Sequence, residues 1–408
     1  MGLQAHEWRE KAMTPLDTLR HAFMADRAAA AELAVITDRE AFADALLSPA
    51  RGQGVPVARE ALMAALLGDP VGIERYQVRP VDGADCPGPD WLPVGVGHDG
   101  RQLTVEWAHF AGRLPCESFY EDSLRRARAR PFNRLMRWRT PLAALLTAPR
   151  LAEVPPPDGF IFHMSRCGST LVSQALGALP GSVSISEAPP LDAVVQLVSG
   201  HLGLPPAERA ALLRAMVAAL TCGRSGETVR RFVKLDCWHS MSMPLFLEAF
   251  PDVPWLFLYR DPLAVMASHA RMPGTQTLPG ELSALFGITD PFAMPGEEYT
   301  ARVLAAICSA AADHASSGGG MFLDYKALPE AIAERVLPHF RVKADAADMA
   351  AMAKVLSQDS KVPSLPFAPE ERGRAVNAGV HRCVAAYLAP QVARLAELDA
   401  AGSTLKVR

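Results

Sequence analysis

The rhythm of apolar and polar positions changes near residue 159. Beyond it the short runs GFIFHM, SVSIS, RFVKLD, PWLFLY and MFLDY alternate with stretches of helical spacing, among them Ser169 to Leu179 and Pro205 to Leu220. Short apolar runs bounded by turn residues suit strands buried on both faces, the kind a parallel sheet produces. Strand and helix in repeated alternation predict an α/β fold: a three-layer α/β/α domain over residues 158–408, with a parallel sheet and a helical C-terminal part. Ligands of such sheets lie at the carboxyl ends of the strands.

The first 150 residues read differently. Pro15 to Leu67 is rich in Ala and Leu at helical spacing and is broken by SPARGQGVPVARE, which predicts three or four short helices. WLPVGVGHDGRQLTVEW alternates on either side of His98-Asp99-Gly100, an Asp-Gly hairpin signal. Residues 1–150 are therefore expected to form a smaller α+β accessory domain. In SFYEDSLRRARARPFNRLMRWR, seven arginines from Arg125 to Arg139 interleave with Leu124, Phe132, Leu135 and Met136. That spacing favours an amphipathic helix packed on the main domain over a nucleic-acid patch. Pro155-Pro156-Pro157 then reads as a linker.

Composition narrows the function classes. Half of the residues are hydrophobic and 21% are charged, which excludes wholesale disorder and a fibrous chain. A net charge of −3 gives no general reason to coat a nucleic acid or an anionic membrane, so an anion site has to be local. The seven cysteines form no CxxC pair and no zinc-spaced cluster, which suits a reduced, cytoplasmic protein without a metal centre. MGLQAHEWREK has no apolar export region, and MPLFLEAFPDVPWLFLY is too interrupted by charge and proline to span a bilayer. A soluble protein without membrane or nucleic-acid partners is expected.

Candidate chemistry sits at strand ends. GFIFHM runs through His163-Met164-Ser165-Arg166-Cys167-Gly168-Ser169-Thr170 straight into a helix. A tight glycine-containing loop that aims backbone N–H groups and hydroxyls toward a helix N-terminus is an anion cradle, and Arg166 supplies a counter-charge. The octamer also reads as a plain strand-to-helix turn capped by Ser169 or Thr170. It lacks the first glycine and the lysine of GxxxxGK[ST]. In PWLFLYRDPLAVMASHAR, Asp261-Pro262 is a ready helix start. Arg260 and Ser268, eight residues apart, can converge on one anion at the sheet edge.

These segments resemble the sulfotransferases that use 3′-phosphoadenosine-5′-phosphosulfate. SRCGST is similar to the family's 5′-phosphosulfate loop, LYRDPLAVMASH to its 3′-phosphate motif, and FLDYKALPE more loosely to its Tyr-containing turn. The resemblance spans about 160 to 340 and implies a P-loop-like fold of the bacterial-type branch. By it, Arg166, Gly168, Ser169 and Thr170 hold the 5′-phosphosulfate, with Cys167 in place of the more usual Ser. Arg260 and Ser268 clamp the 3′-phosphate, and Lys234, ending RFVKLD, assists at the reacting centre. Lys234 also reads as a charge that simply closes a buried strand.

Transfer to a hydroxyl or amine, in a small molecule or a peptide, needs a base. Glu187, twenty-one residues after Arg166, is the first candidate, because the protein-tyrosine branch of the family uses a glutamate at this spacing. It also reads as a turn-capping carboxylate. Asp236 is the second candidate: it stands where the small-molecule branch has a His after the strand Lys, with His239 out of register nearby. Lys361, in the loop QDSKVPSLPF, is a candidate nucleotide contact, and the loop-rich stretch from Met272 to Gly296 a candidate acceptor lid. His163 and His201 are expected to be structural. The alternatives are a P-loop kinase using ATP and magnesium, disfavoured by the missing Walker lysine and magnesium carboxylate, and a nucleotide-binding or interaction protein without turnover.

Overall fold

The computed structural model describes residues 13–48, 55–67, 78–201, 203–222, 228–358 and 376–405. The chain divides into two compact units, one of residues 1–113 with 124–144, the other of 114–123 with 145–408.

In the first unit, helices Pro15–Ala25, Arg27–Ala34 and Arg39–Leu47 are opened by Thr14, Asp26 and Asp38, whose side chains accept the otherwise unpaired N–H groups of the first turn. A fourth helix covers Arg59–Ala65. Strands β1 (Val81–Asp82), β2 (Trp91–His98), β3 (Leu103–His109) and β4 (Trp138–Pro141) form a sheet in the order β1-β4-β3-β2, antiparallel except for β1 on β4. The anticipated hairpin is β2–β3. Its turn is set by Asp99, which accepts from the N–H groups of Arg101 and Gln102, and by Gly100 at φ +97°.

The arginine run differs from its reading as one helix. It passes from helix Tyr120–Ala129 through helix Pro131–Leu135 into strand β4, because Pro131 has no N–H to continue the first helix. Residues 124–144 belong to the first unit, where four of the seven guanidiniums are engaged internally. Arg130 donates to the carbonyls of Ala34 and Val35, Arg134 to Leu66, Arg137 to Glu106 and Val78, and Arg139 to Asp82. Arg125, Arg126 and Arg128 are exposed, so the dense charge here combines internal ties with a short exposed stretch.

The second unit is a three-layer α/β/α domain. Its sheet contains β5 (Gly159–His163), β6 (Ser182–Ser186), β7 (Arg230–Lys234), β8 (Trp255–Tyr259) and β9 (Gly320–Asp324), all parallel, in the order β6-β7-β5-β8-β9. Helices Ser169–Gly177, Pro189–Gln196, Pro206–Thr221, Pro262–Arg271 and Gly296–Asp313 connect and cover the strands, three of them with proline at the start. Strands β5, β6 and β8 are buried along their length, and Phe160 and Phe162, two residues apart on one face of β5, both meet Phe246 edge-on. From central β5 the chain departs to one side for β6 and later to the other side for β8. The carboxyl end of β5 is thus the topological switch point of the sheet, where open α/β sheets leave a crevice. No described helix is long and apolar enough to cross a membrane.

Candidate active site

A cavity of about 580 Å³ opens at that switch point. His163, residues 165–171, Glu187, Asp236 to Trp238, Arg260, Ser268 and Tyr325 contribute to its wall, so the ends of all five strands reach it.

The loop after β5 departs from ordinary backbone geometry. Ser165, Arg166 and Gly168 take φ values of +77°, +52° and +83°. Together with Glu187 at +49°, three of the five described non-glycine residues with positive φ lie in this one cavity. Such conformations cost on the order of 1–3 kcal/mol each and persist where the surroundings enforce them. Successive positive and negative φ values turn consecutive N–H groups toward one point, an anion-binding nest. Gly168 opens helix Ser169–Gly177, and a Cβ there would lie 2.8 Å from Cδ2 of Tyr325, so glycine is required by both conformation and space.

Arg260 faces this loop. Its Nη1 donates to the Arg166 carbonyl at 3.2 Å, its backbone N–H meets Met164 Sδ at 3.1 Å, and its guanidinium carbon lies 4.2 Å from the centre of the Tyr325 ring. Tyr325, in the turn after β9, is held between Gly168 and Arg260. Ser268 lines the cavity two turns into helix Pro262–Arg271, whose start Asp261 caps by accepting from Ala264 N–H, the role its sequence context gave it. The Arg166 Nη2 donates to the Met272 carbonyl at 2.7 Å. Met272, Gly274, Thr275 and Gln276 line the cavity as well, so the expected acceptor lid begins beside the loop arginine. The Cys167 thiol points into the core, donates to the Leu258 carbonyl and is pushed by burial up to about 12, which leaves only its backbone for a ligand. Lys361 lies outside the described residues, as does the His201 side chain.

Toward β6 and β7 the character changes. Lys234, 1% exposed, is ion-paired with Glu187 Oε1. The parallel register sets Ser186 beside Lys234, and the Glu187 N–H then donates to the Lys234 carbonyl at 2.8 Å, which pins the pair through backbone as well as side chains. His163 Nε2 lies 3.3 Å from the same Oε1 and 3.0 Å from the Leu235 carbonyl, and its Nδ1 accepts from Ser165 N–H at 3.0 Å. These partners assign a neutral imidazole protonated on Nε2, consistent with burial and the nearby Lys234 lowering its pKa. Burial alone would raise Glu187, but Lys234 and His163 outweigh it and hold the carboxyl below its usual range. Glu187 is thus ionised and doubly engaged.

Asp236 is the opposite case. At 8% exposure it lines the cavity, and its nearest cation-forming partner, His239 Nε2, is 3.9 Å away. Burial, reinforced by Glu187 and Asp192 and only partly offset by His239 and Lys234, pushes it up to about 7. His239 Nε2 instead bonds Asp192 Oδ1 at 2.9 Å, where Trp238 Nε1 also donates, at 2.7 Å.

Asp192, Asp236 and His239 bring ligand atoms within 4.8 Å of one another, a spacing a cation can bridge. Ligation through Nε2 would require the proton on His239 Nδ1, which is buried without a partner. Metal-bound histidines normally bond that second nitrogen, so the cluster fits a hydrogen-bonded arrangement better.

Arg166 to Thr170, Glu187, Asp236, Arg260 and Ser268 therefore meet at one cavity, with Lys234 beneath Glu187. Sequence reading assigned His163 a structural role and passed over Asp192, Trp238, Phe119 and Glu121. His163, the last residue of β5, carried a positional signal. Phe119 and Glu121 line the cavity from a segment counted with the accessory region but belonging to the second unit, and no periodicity reveals that.

No family model and no curated protein matches this chain. Among solved structures it is similar to a sulfotransferase domain from the curacin biosynthetic pathway, at 14% identity over 57% of this chain and 97% of that one, with a TM-score of 0.35. It is also similar to a sulfotransferase from Mycobacterium avium, at 13% identity over 64% and 82% of the two chains, TM-score 0.39. A third, from Alicyclobacillus acidocaldarius, has 18% identity over 60% and 96%, TM-score 0.34.

Proposed function

We propose that the cavity takes 3′-phosphoadenosine-5′-phosphosulfate and that the protein transfers its sulfuryl group to a hydroxyl or amine acceptor. The observation that carries this reading is the convergence of two motifs 94 residues apart: Arg260 is hydrogen-bonded to the 166–170 loop, and both line one cavity with Ser268. A nest of N–H groups at a helix N-terminus suits the phosphosulfate end. A guanidinium stacked on Tyr325 suits a second, separate phosphate, since arginine on an aromatic face keeps its planar donors free for oxyanions.

Sulfuryl transfer resembles phosphoryl transfer in depending on in-line positioning and on charges aimed at the leaving oxygen. Arg166 and the loop N–H groups supply those charges, so this reading needs no metal. Lys234 joins them only if Glu187 shares it. Glu187, the first candidate base, is a poor proton acceptor while paired with Lys234 and His163, and its role becomes the orientation of that lysine. Asp236 takes the proton, because a carboxylate titrating near 7 is matched to acid–base work at neutral pH.

The test is nucleotide binding followed by turnover. Adenosine 3′,5′-bisphosphate should bind without magnesium and more tightly than ATP, and labelled donor should be consumed over a panel of hydroxyl and amine acceptors. Magnesium-dependent ATP binding in preference to the bisphosphate would support a kinase instead. Bisphosphate binding with no transfer to any acceptor would leave a nucleotide-binding protein.

A further inference from the structure

The inner end of the cavity holds more negative charge than its own cations match. Glu187 is matched by Lys234, and Asp192 is bonded by His239 and Trp238. The Asp236 carboxylate has no hydrogen-bonded partner among the described residues, with His239 Nε2 3.9 Å away, and the residue is 8% exposed. Glu121, exposed at the start of helix Tyr120–Ala129, adds a second unmatched carboxylate to the same wall. The apolar surface around them is aromatic: Phe119, over whose ring the Lys234 ammonium already lies with Nζ 5.2 Å from the centre, and Trp238, whose indole N–H is held by Asp192.

A buried carboxylate without a counter-charge is unfavourable unless it is protonated or meets a cation. An aromatic face beside it adds attraction for an ammonium group and repels no neutral group, so the arrangement discriminates by charge. We infer that the acceptor is a primary amine that enters as its ammonium ion and docks against Asp236 beside Trp238, with Glu121 on the approach. This inference rests on the sulfuryl-transfer reading of the same cavity and narrows its acceptor class.

The chemistry balances. The ammonium gives one proton to Asp236, which frees the nitrogen lone pair. That pair attacks the sulfur of the donor, and the N–S bond forms as the S–O bond to the donor's 5′-phosphate breaks, its electron pair staying on the phosphate oxygen. The second N–H proton leaves to the released phosphate, giving a sulfamate. An alkylammonium ion ordinarily titrates near 10, so a carboxylate displaced to about 7 narrows the gap the first transfer has to cross.

The test compares benzylamine with its neutral isostere benzyl alcohol by calorimetry at pH 8, first on the protein alone and then on protein saturated with adenosine 3′,5′-bisphosphate. The amine should bind at least tenfold more tightly in both states, and Asp236→Asn and Glu121→Gln should each shrink that preference while bisphosphate affinity changes less than about twofold. Equal affinities, tighter binding of the alcohol, or a preference untouched by both substitutions would overturn the inference. Failure of the bisphosphate to bind would instead strike the donor reading, and the measurement on the protein alone would still decide whether the inner end selects a cation.

Discussion

At the outer end of the cavity the charged groups are arginines already bonded to backbone, Arg166 to the Met272 carbonyl and Arg260 to the Arg166 carbonyl. At the inner end they are carboxylates, of which Glu187 is neutralised and Asp236 is not. His163 joins the two, accepting from Ser165 N–H on one side and meeting Glu187 on the other. Hydrogen bonds fix the direction of the outer cations before any ligand arrives, so an anion can be bound there with little reorganisation. The inner end has the reverse property, an unmet charge whose protonation state a ligand can change. One cavity thus carries fixed cations at one end and an unmet carboxylate at the other.

Substitutions that touch one end should leave the other intact. The largest effect is expected from Asp236→Asn, which should lower kcat by at least about 100-fold, within the range a positioned base contributes, while bisphosphate affinity stays within about twofold. The same change should stabilise the free protein. Asp236 has a folded pKa near 7, above the ordinary carboxyl value of 3.8, so the native state binds more protons than the unfolded state between those values. Stability owed to this group is therefore present at low pH and lost as pH rises from about 4 to about 7. The Tm of Asp236→Asn relative to the parent should climb through that window. A variant both inactive and less stable at pH 8 would mean that Asp236 is structural.

Glu187→Gln should act first on stability. It removes the counter-charge of Lys234, 1% exposed, and breaking buried pairs costs about 3–5 kcal/mol, with the low end apt here because Glu187 is 24% exposed. Denaturant unfolding would show it, and a loss of turnover without loss of stability would return Glu187 to the role of base. Gly168→Ala should cost about 1–3 kcal/mol through its left-handed backbone and weaken nucleotide binding by displacing Tyr325 from Arg260. Unchanged bisphosphate affinity in a folded Gly168→Ala protein would separate Tyr325 from the donor site.

The smallest effect is a pH profile. kcat/KM should rise with pH through about 7 as Asp236 ionises in the field of His239, Lys234, Glu187 and Asp192, and Asp236→Asn should lose that limb. An acid limb that survives the substitution would assign it to another group.

The meeting of the 166–170 loop with Arg260 and Ser268 at one cavity was largely legible in the sequence because its parts are local: a strand, a tight loop and a helix start within SRCGST, and an arginine and a serine on one strand–helix unit. The five strands were legible as short runs because both sheet faces are covered. Long-range contacts were not legible. The Lys234–Glu187 pair depends on the β6–β7 register, and Asp192 and His239 meet from two different helical turns. The arginine run, read as one amphipathic helix packed on the main domain, is divided because Pro131 has no N–H to continue the first helix, and which carbonyls claim its arginines is set by long-range packing. In the first unit Ala34, Val35, Leu66 and Val78 do so.

The central claim is that the loop at 166–170 and Arg260 hold the two ends of one doubly phosphorylated nucleotide. Its most direct test is the affinity of adenosine 3′,5′-bisphosphate and adenosine 5′-phosphate for the parent and for Arg260→Ala. The bisphosphate should weaken by about 10- to 100-fold, the worth of hydrogen bonds to a charged group, with adenosine 5′-phosphate nearly unchanged. Equal losses for both nucleotides, or none for either, would contradict the claim.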